Sequence, residues 1–302
     1  MDDRKGFIGS SEISTVLNLN PFQTPLELWA EKTGQILPKD LSNNESVEWG
    51  KRLEKVVSSK FSEKHNVKLI AYKKRFVHPE YDFLTCELDN IIANTDEMVE
   101  IKTCSAWNYK YWENPDDIPF HYICQVMFAL GLSNRKIGHI AVLIGGQRYL
   151  EKRIEFDKKI FDEMVRKAVY FWNTFIIPKA MPTTIKAMDD EVLFKLYPEG
   201  QESEIELTDE ANRIVESIEG LQSDLNAVEK QIDEQKNILK SMLKDSEIGK
   251  TDKFIITWKN QETKRLDTAL LKEKNIDIYN QYSKITKSRV FKIKNIKEKE
   301  NE

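Results

Sequence analysis

One aspartate, one glutamate and one lysine lie within an apolar stretch, LDNIIANTDEMVEIKTCSAW, that covers residues 88–107. Residues two apart in a strand share a face, so Glu100 and Lys102 point the same way and Ile101 points the opposite way. Asp89 belongs to the preceding strand, where the pairing register can bring its carboxylate near that of Glu100. Two carboxylates at close range repel each other unless a cation sits between them. Because hard cations such as Mg²⁺ prefer oxygen ligands, this hairpin predicts a metal site beside a lysine.

A simpler alternative explains the same three charges without any metal. In a surface hairpin, Lys102 would form a cross-strand ion pair with Asp89 or with Glu100. The stretch alone does not decide between the two interpretations.

Two predicted helices place further polar groups on apolar faces. In EWGKRLEKVVSSKF, Glu54 lies about 60° from Val57, the centre of the apolar face, at roughly 100° per residue. A carboxylate there is costly unless it is paired, bound to a metal or able to reach solvent. In PFHYICQVMFALG, Tyr122 and Gln125 lie three residues apart on one face. Gln125 needs a hydrogen-bond partner, which could be a backbone carbonyl or a member of the site.

The elements that must position these residues fall in residues 1–200, which mix short strands and helices. We expect helices over 11–18, 24–33, 46–66, 119–131 and 157–177, and strands over 67–78, 81–92, 97–103, 137–144 and 147–156. Ser11 is expected to cap the first helix, and Gly131 to end the fourth. Gly145-Gly146 predicts a tight hairpin between the last two strands.

Residues 201–302 form a second, more charged region. Apolar residues recur at alternating spacings of four and three from Leu207 to Met242, which predicts a coiled-coil helix over about 208–245. That helix either packs on its own chain or contacts another subunit or partner. A small strand–helix–strand element follows, with strands KFIITWK and SRVFKIK around a helix over 267–282. The tail KNIKEKENE is expected to fray.

Composition sets limits on the class of protein. The chain has 302 residues, a net charge of −4 and 32% charged residues, which suits a globular protein and leaves local nucleic-acid-binding patches open. It contains no apolar run near the roughly 18 residues of a membrane span, and MDDRKGFIGS lacks a signal-peptide core. Three widely spaced cysteines argue against a disulfide framework, a zinc ribbon or an iron–sulfur cluster. We therefore expect a cytoplasmic protein.

The ordered set of Glu54, Asp89, Glu100-Ile101-Lys102, Tyr122 and Gln125 resembles the PD-(D/E)-x-K nuclease superfamily. More narrowly, it resembles the phage lambda exonuclease and YqaJ-like viral recombinase family. The segments RKGFIGSSEISTVLNLNPFQTPLELWAEKTG, WGKRLE and LTCELDNII carry the resemblance, which covers about residues 4–180. It implies an α/β fold, a restriction-endonuclease-like core with a central mixed β-sheet flanked by helices. In this chain a long coiled-coil helix and a small α/β element follow that core.

The resemblance also implies roles for single residues. Metal binding falls to Asp89 and Glu100, to the backbone carbonyl of Ile101 and to the helix-borne Glu54. Lys102 is the implied catalytic lysine, and Gln125 and Tyr122 support the site from the neighbouring helix. The implied ligands of the DNA 5′-phosphate are Arg4, Ser10 and Ser11. The chain departs from the family at Asp89-Asn90, where many relatives have Asp-Gly, and this puts the local backbone in question.

The implied activity is a 5′→3′ double-strand DNA exonuclease of phage or prophage recombination that uses one or two Mg²⁺ or Mn²⁺ ions. It would release 5′-mononucleotides and leave 3′ single-strand tails. The implied partners are double-stranded DNA ends, a single-strand annealing protein and further copies of the chain in a homo-oligomer. Two alternatives stay open: a structure-specific or restriction-type endonuclease on the same fold, and an inactive DNA-end-binding scaffold.

Four aromatic residues interleaved with Lys110 in SAWNYKYWEN could serve such a substrate. They are Trp107, Tyr109, Tyr111 and Trp112. Aromatic side chains next to a cation can stack on the bases of a strand end, but the same residues would equally suit a hydrophobic core.

Overall fold

The computed structural model describes residues 4–114, 117–286 and 288–294, and of Arg4 and Lys73 only the backbone. The chain divides into two compact units, residues 1–198 and residues 199–302. Among the described residues, no helix is long and apolar enough to cross a membrane.

Over its described residues, the first unit combines six strands with six α-helices. Its strands are β1 (Ile8–Gly9), β2 (Leu69–Val77), β3 (Leu84–Ile92), β4 (Glu97–Cys104), β5 (Ile137–Ile144) and β6 (Arg148–Glu155). Its helices are α1 (Ile13–Val16), α2 (Pro25–Lys32), α3 (Glu45–His65), α4 (Phe120–Ser133), α5 (Lys158–Phe171) and α6 (Asp190–Leu196). A turn of 3-10 helix covers Ala106–Tyr111, and a π-helical turn, Trp172–Ile176, continues α5.

The six strands form one mixed sheet in the order β1-β3-β4-β5-β6, with β2 also paired to β3. The pairs β1–β3 and β4–β5 are parallel, and β2–β3, β3–β4 and β5–β6 are antiparallel. Helix α4 forms the crossover between the parallel strands β4 and β5. The predicted α/β class with a mixed sheet flanked by helices is therefore confirmed.

The sheet has a hydrophobic core on each face. The larger core packs α1, α2, α4 and α5 against one face, with Phe128 and Leu130 of α4 fully buried in it. The smaller core packs Val57 and Phe61 of α3 against Ile101 on the other face. Consequently α4 and α3 approach strand β4 from opposite sides.

Local sequence signals explain most element ends. The Thr24 side chain accepts a hydrogen bond from the backbone N–H of Glu27 and caps α2. Gly145 and Gly146 have φ values of 59° and 72°, which a tight hairpin turn requires and which glycine adopts without strain. Asn66 ends α3 in the left-handed conformation.

Two predicted helix ends in the first unit are wrong. Helix α4 continues past Gly131 and ends at Asn134, which has φ 54°, because Asn also tolerates the left-handed region. Gly131 instead gives room to the ring of Phe161, which an added Cβ would meet at 2.2 Å. Ser11 does not cap α1, because that helix begins only at Ile13, after Glu12.

The second unit is built on the long helix α7 (Asp209–Leu243), which confirms the predicted long C-terminal helix. A two-stranded sheet follows, formed by β7 (Ile248–Lys250) and β8 (Ile255–Thr257), and only β8 was predicted. The helix predicted over 267–282 is two helices, α8 (Thr268–Lys274) and α9 (Ile276–Tyr282), with Asn275 between them. The strand predicted from SRVFKIK is wrong, since residues 288–294 form neither strand nor helix. Of the tail predicted to fray, residues 295–302 lie outside the described residues.

Candidate active site

Strands β3 and β4 separate from each other at Asp89. Their paired residues are Asn90 with Val99 and Ile91 with Met98. At Asp89, the residue before Asn90, a side chain takes over from the backbone pairing. The Asp89 carboxylate accepts a 2.8 Å hydrogen bond from the backbone N–H of Ile101. The fork therefore fixes the Asp89 side chain against β4.

Glu100, Lys102 and Gln125 form one hydrogen-bonded cluster on the α4 side of β4. The Lys102 ammonium donates to Glu100 Oε1 at 2.7 Å and to Gln125 Oε1 at 3.1 Å. The Gln125 amide donates to the same Glu100 oxygen at 2.6 Å. Lys102 Nζ also lies 5.1 Å from the ring centroid of Tyr122. Glu100 and Lys102 share a face, as predicted, and Ile101 packs into the core under α3.

The ionisable groups of this cluster strongly influence one another. Removal from water, followed by the nearby Glu100 charge, raises the pKa of Asp89 to about 7, although the Ile101 N–H and Lys102 oppose that rise. Burial alone would lower the pKa of Lys102, but the Glu100 carboxylate more than offsets burial and raises it. Burial also raises the pKa of Tyr122. Lys102 is therefore a charged partner of Glu100, while the negative charge of Asp89 remains under-compensated.

Glu54 lies at the margin of this group. It stands on α3, on the sheet face opposite to Glu100, and is close enough to contribute to the raised pKa of Asp89. Among the residues that the structure describes, no three His, Cys, Asp or Glu side chains converge closely enough to hold a metal ion. A closed cage of three carboxylates is thus not formed by Glu54, Asp89 and Glu100.

The donor set still fits the chemistry of a hydrated hard cation. Mg²⁺ retains several waters and needs only one or two carboxylates from the protein. Asp89 and Glu100 supply two carboxylates on adjacent strands, and a divalent cation would compensate the charge that raises the pKa of Asp89. A role for the Ile101 carbonyl and for Glu54 as ligands stays a prediction.

A cavity of about 190 Å³ adjoins the cluster and includes Gln125 in its lining. It lies beside the part of β3 between the residues paired to β1 and those paired to β4. Ser10, Ser11 and Thr85 contribute its hydroxyl groups, and Arg75 also lines it. The structure therefore brings Ser10 and Ser11 next to the carboxylate cluster. The side chain of Arg4 lies outside what the structure describes.

A buried ion pair holds the loop that carries Ser10 and Ser11. Lys32 Nζ donates to both Glu12 oxygens at 2.8 Å and to the carbonyl of Phe7 at 2.6 Å. Glu12 in turn accepts from the backbone N–H of Gly9 at 2.9 Å. Sequence reasoning missed Lys32, because a lysine in the last turn of α2 carries no local signal of a partner 20 residues away.

The four aromatic residues after β4 divide between two environments. Trp112 is buried and Tyr109 packs against the larger core. Trp107 and Tyr111 are 88% and 53% exposed. The core interpretation therefore holds for Trp112 and Tyr109, and stacking of Trp107 and Tyr111 on a strand end stays a prediction.

Comparison with known proteins gives the family of the chain. Residues 1–136 match the model of the YqaJ-like viral recombinase domain. The chain is 33% identical over 300 residues to the uncharacterised protein YqaJ of Bacillus subtilis (strain 168), covering 98% of this chain and 93% of that protein. The chain belongs to the YqaJ-like viral recombinase family, which confirms the resemblance inferred from the sequence.

Solved structures with a similar fold include two exonucleases. An alkaline exonuclease from Laribacter hongkongensis, in complex with dAMP, is similar with a TM-score of 0.46 and 18% identity, over 57% of this chain and 88% of that chain. A phage-related exonuclease from Haemophilus somnus 129PT is similar with a TM-score of 0.42 and 15% identity, over 57% of this chain and 96% of that chain.

Proposed function

We propose that the chain is a Mg²⁺-dependent 5′→3′ double-strand DNA exonuclease of phage or prophage homologous recombination, with Mn²⁺ as an alternative ion. Membership of a viral recombinase family supports the biological setting. The observation that carries the chemistry is the fork of β3 and β4, where Asp89, Glu100, Lys102 and Gln125 meet beside a hydroxyl-lined cavity. In this proposal residues 1–200 form the nuclease domain.

Each residue of the cluster has a proposed task in hydrolysis of the phosphodiester. Asp89 and Glu100, with Ile101 and Glu54 beside them, would hold one or two divalent ions, which neutralise the phosphate and lower the pKa of a bound water when they are present. Lys102 would orient the attacking water and offset charge that develops in the transition state. Gln125 would hold the Lys102 ammonium and the Glu100 carboxylate in position through one hydrogen bond to each. The Tyr122 ring would shield these groups from solvent.

The direction of digestion would come from the neighbouring cavity. Ser10 and Ser11 offer hydroxyl donors there, and Arg4 precedes them in the chain as a bidentate donor for phosphate. We propose that these residues bind the terminal 5′-phosphate, so that the enzyme removes 5′-mononucleotides and leaves 3′ single-strand tails.

Two partners follow from this proposal. The 3′ tails are substrates for a single-strand annealing protein, and a homo-oligomer would keep the enzyme on its DNA between cleavage steps. A recombination nuclease meets its DNA in the host cytoplasm, which we propose as its compartment.

The experiment that tests the proposal compares three DNA substrates with Mg²⁺, with Mn²⁺ and with EDTA. These are a linear 5′-phosphorylated duplex, the same duplex with 5′-hydroxyl ends, and a closed circle. We expect digestion of the linear forms only, fastest with 5′-phosphate, and none in EDTA. A label at the 5′ end should leave as a mononucleotide, while a 3′ label should stay in a long strand.

The other outcomes point to the alternative functions. Cleavage of the closed circle as fast as the linear duplex would indicate an endonuclease on the same fold. Binding of duplex ends without hydrolysis under any metal condition would indicate a scaffold.

A further inference from the structure

Helix α7 carries a continuous apolar seam that is open to solvent. We define the seam by the ten positions spaced alternately by three and four: Ala211, Ile214, Ile218, Leu221, Leu225, Val228, Ile232, Gln235, Leu239 and Met242. Among its large apolar members the exposed fraction runs from 39% for Ile218 to 70% for Met242. A helix of 35 residues is about 52 Å long at 1.5 Å per residue, so the seam is a long, narrow interaction surface.

The second unit provides almost no hydrophobic core of its own. Among its described residues, Leu243 is the one buried hydrophobic side chain, and it packs where Gly249 leaves space. Most of the stability of a helix in water comes from packing of its apolar face. An apolar stripe with a spacing of three and four is the geometry that pairs with another helix. The seam therefore requires a helical partner.

We propose that this partner is the α7 seam of a second copy of the chain, packed antiparallel about a two-fold axis next to Leu221 and Leu225. The seam sequence is complementary to its own reverse. In this alignment Leu221 faces Leu225 of the second copy, and three of the four symmetric layers from Ala211 to Gln235 pair branched aliphatic residues of similar size. The further layers pair Ile218 with Val228, Ile214 with Ile232, and the polar Gln235 with the small Ala211. An isologous two-fold contact uses the same surface twice, and a seam that matches its reverse provides such a surface.

Charges beside the seam favour the antiparallel orientation. Residues that flank the seam set the partner and the direction of a coiled coil. In a parallel pair, Asp224 would lie opposite Glu229 of the second copy, and symmetry would repeat that repulsion on the other side. In the antiparallel pair the two copies of Asp224 meet once, at the axis. This pairing stands independently of the nuclease proposal, because it uses no residue of the first unit.

The first test measures the mass of the full chain in solution. Wild type is expected to sediment at an even multiple of the 35.4 kDa of one chain, and the double substitution Leu221→Glu with Leu225→Glu to halve that mass. The matched control, Ser223→Glu with Ala227→Glu, adds the same charge to the outer face of α7 and is expected to keep the wild-type mass. A monomeric wild type, or equal masses for both variants, would overturn the proposal.

The second test determines orientation without charging the seam, so that it does not depend on the folding of the first variants. Two single variants, Ile214→Cys and Ile232→Cys, are coexpressed with tags of different size and treated with a bismaleimide crosslinker. The antiparallel alignment predicts a crosslink between the two different variants, and wild type with its three native cysteines serves as the blank. Crosslinks of each variant only to itself would show parallel pairing and overturn the alignment.

Discussion

The carboxylate of Asp89 takes the place of a backbone acceptor for the N–H of Ile101 where two neighbouring strands part. This contact makes the position of a charged side chain depend on the main chain of the next strand. It also keeps Asp89 close to Glu100, whose charge adds to the effect of burial in raising the pKa of Asp89.

On the proposed function, Lys102→Ala should remove most of the nuclease activity and increase the stabilisation of the chain by Mg²⁺. Lys102→Ala leaves the buried Glu100 without its cationic partner, which should destabilise the metal-free protein by about 3 kcal/mol. We expect activity on linear duplex to fall at least about 100-fold, the scale of losing one preorganised charged donor. Since a cation would then compensate Glu100, Mg²⁺ should raise the melting temperature of Lys102→Ala more than that of wild type.

The matched control for that prediction is Lys159→Ala, which removes an exposed lysine of α5. It should keep wild-type activity and the wild-type response to Mg²⁺. An equal rise in melting temperature for all three proteins would contradict a cation site at Glu100.

The stability of the metal-free protein should fall as the pH rises from about 4 to 7. The folded protein holds a proton on Asp89 up to a pKa of about 7, whereas an unfolded aspartate releases it near pH 3.9. Between these values the native state binds more protons, so this group lowers the free energy of unfolding by up to about 1.4 kcal/mol per pH unit as the pH rises. Asp89→Asn should remove that component.

Urea unfolding in EDTA at several pH values measures this effect as the difference between wild type and variant. The exposed Asp82→Asn serves as the control and should follow wild type. Parallel pH profiles for wild type and Asp89→Asn would show that the Asp89 pKa is not raised.

Removal of Lys32 should loosen the loop that carries Ser10 and Ser11. Lys32→Met leaves the Glu12 carboxylate, which is largely shielded from solvent, unpaired, and should destabilise the protein by about 3 kcal/mol. On the proposed function we also expect KM for 5′-phosphorylated duplex to rise, with a smaller change in kcat and little change on 5′-hydroxyl ends. Lys32→Arg, which keeps the charge, should recover part of the discrimination. If Lys32→Met still preferred 5′-phosphorylated over 5′-hydroxyl ends as strongly as wild type, Lys32 would not position the loop that carries Ser10 and Ser11.

Two glycines in helices should respond oppositely to the same substitution. Gly131→Ala places a Cβ within 2.2 Å of the Phe161 ring, and overpacking of this kind costs about 1–3 kcal/mol. Gly220→Ala in α7 meets no atom within 4 Å and should gain up to about 1 kcal/mol from helix propensity. Chemical unfolding of the full chain measures both changes.

The double variant Gly131→Ala with Phe161→Ala checks the cause of the first effect. The new methyl group then occupies vacated space, so the double variant should be more stable than the sum of the two single losses predicts. Simple additivity would mean that the ring is not the obstacle.

The sequence predicted most of the first unit because its signals are local. Alternation placed Glu100 and Lys102 on one face and Ile101 on the other, and Gly145-Gly146 defined its hairpin. The helix end expected at Gly131 failed for a tertiary reason, because the glycine serves the packing of Phe161. The Lys32–Glu12 pair and the fork at Asp89 depend on contacts between distant segments, which no spacing rule encodes.

The second unit was predicted less well for a related reason. Its strands are only three residues long, and short apolar runs such as SRVFKIK satisfy a strand pattern without a sheet to join. By contrast, the regular spacing from Leu207 to Met242 predicted a helix over about 208–245, and α7 covers Asp209–Leu243. Periodicity over many residues is informative, whereas a single short run is not.

Thr85, beside the cavity, and Asp89, beside the cluster, lie four residues apart on the paired strand β3, about 13 Å at 3.3 Å per residue. The paired backbone of β3, rather than a loop, thus sets the separation between the proposed phosphate-binding cavity and the proposed cleavage site. On the proposed function, this paired strand keeps end binding and hydrolysis at a constant separation through successive cleavage steps.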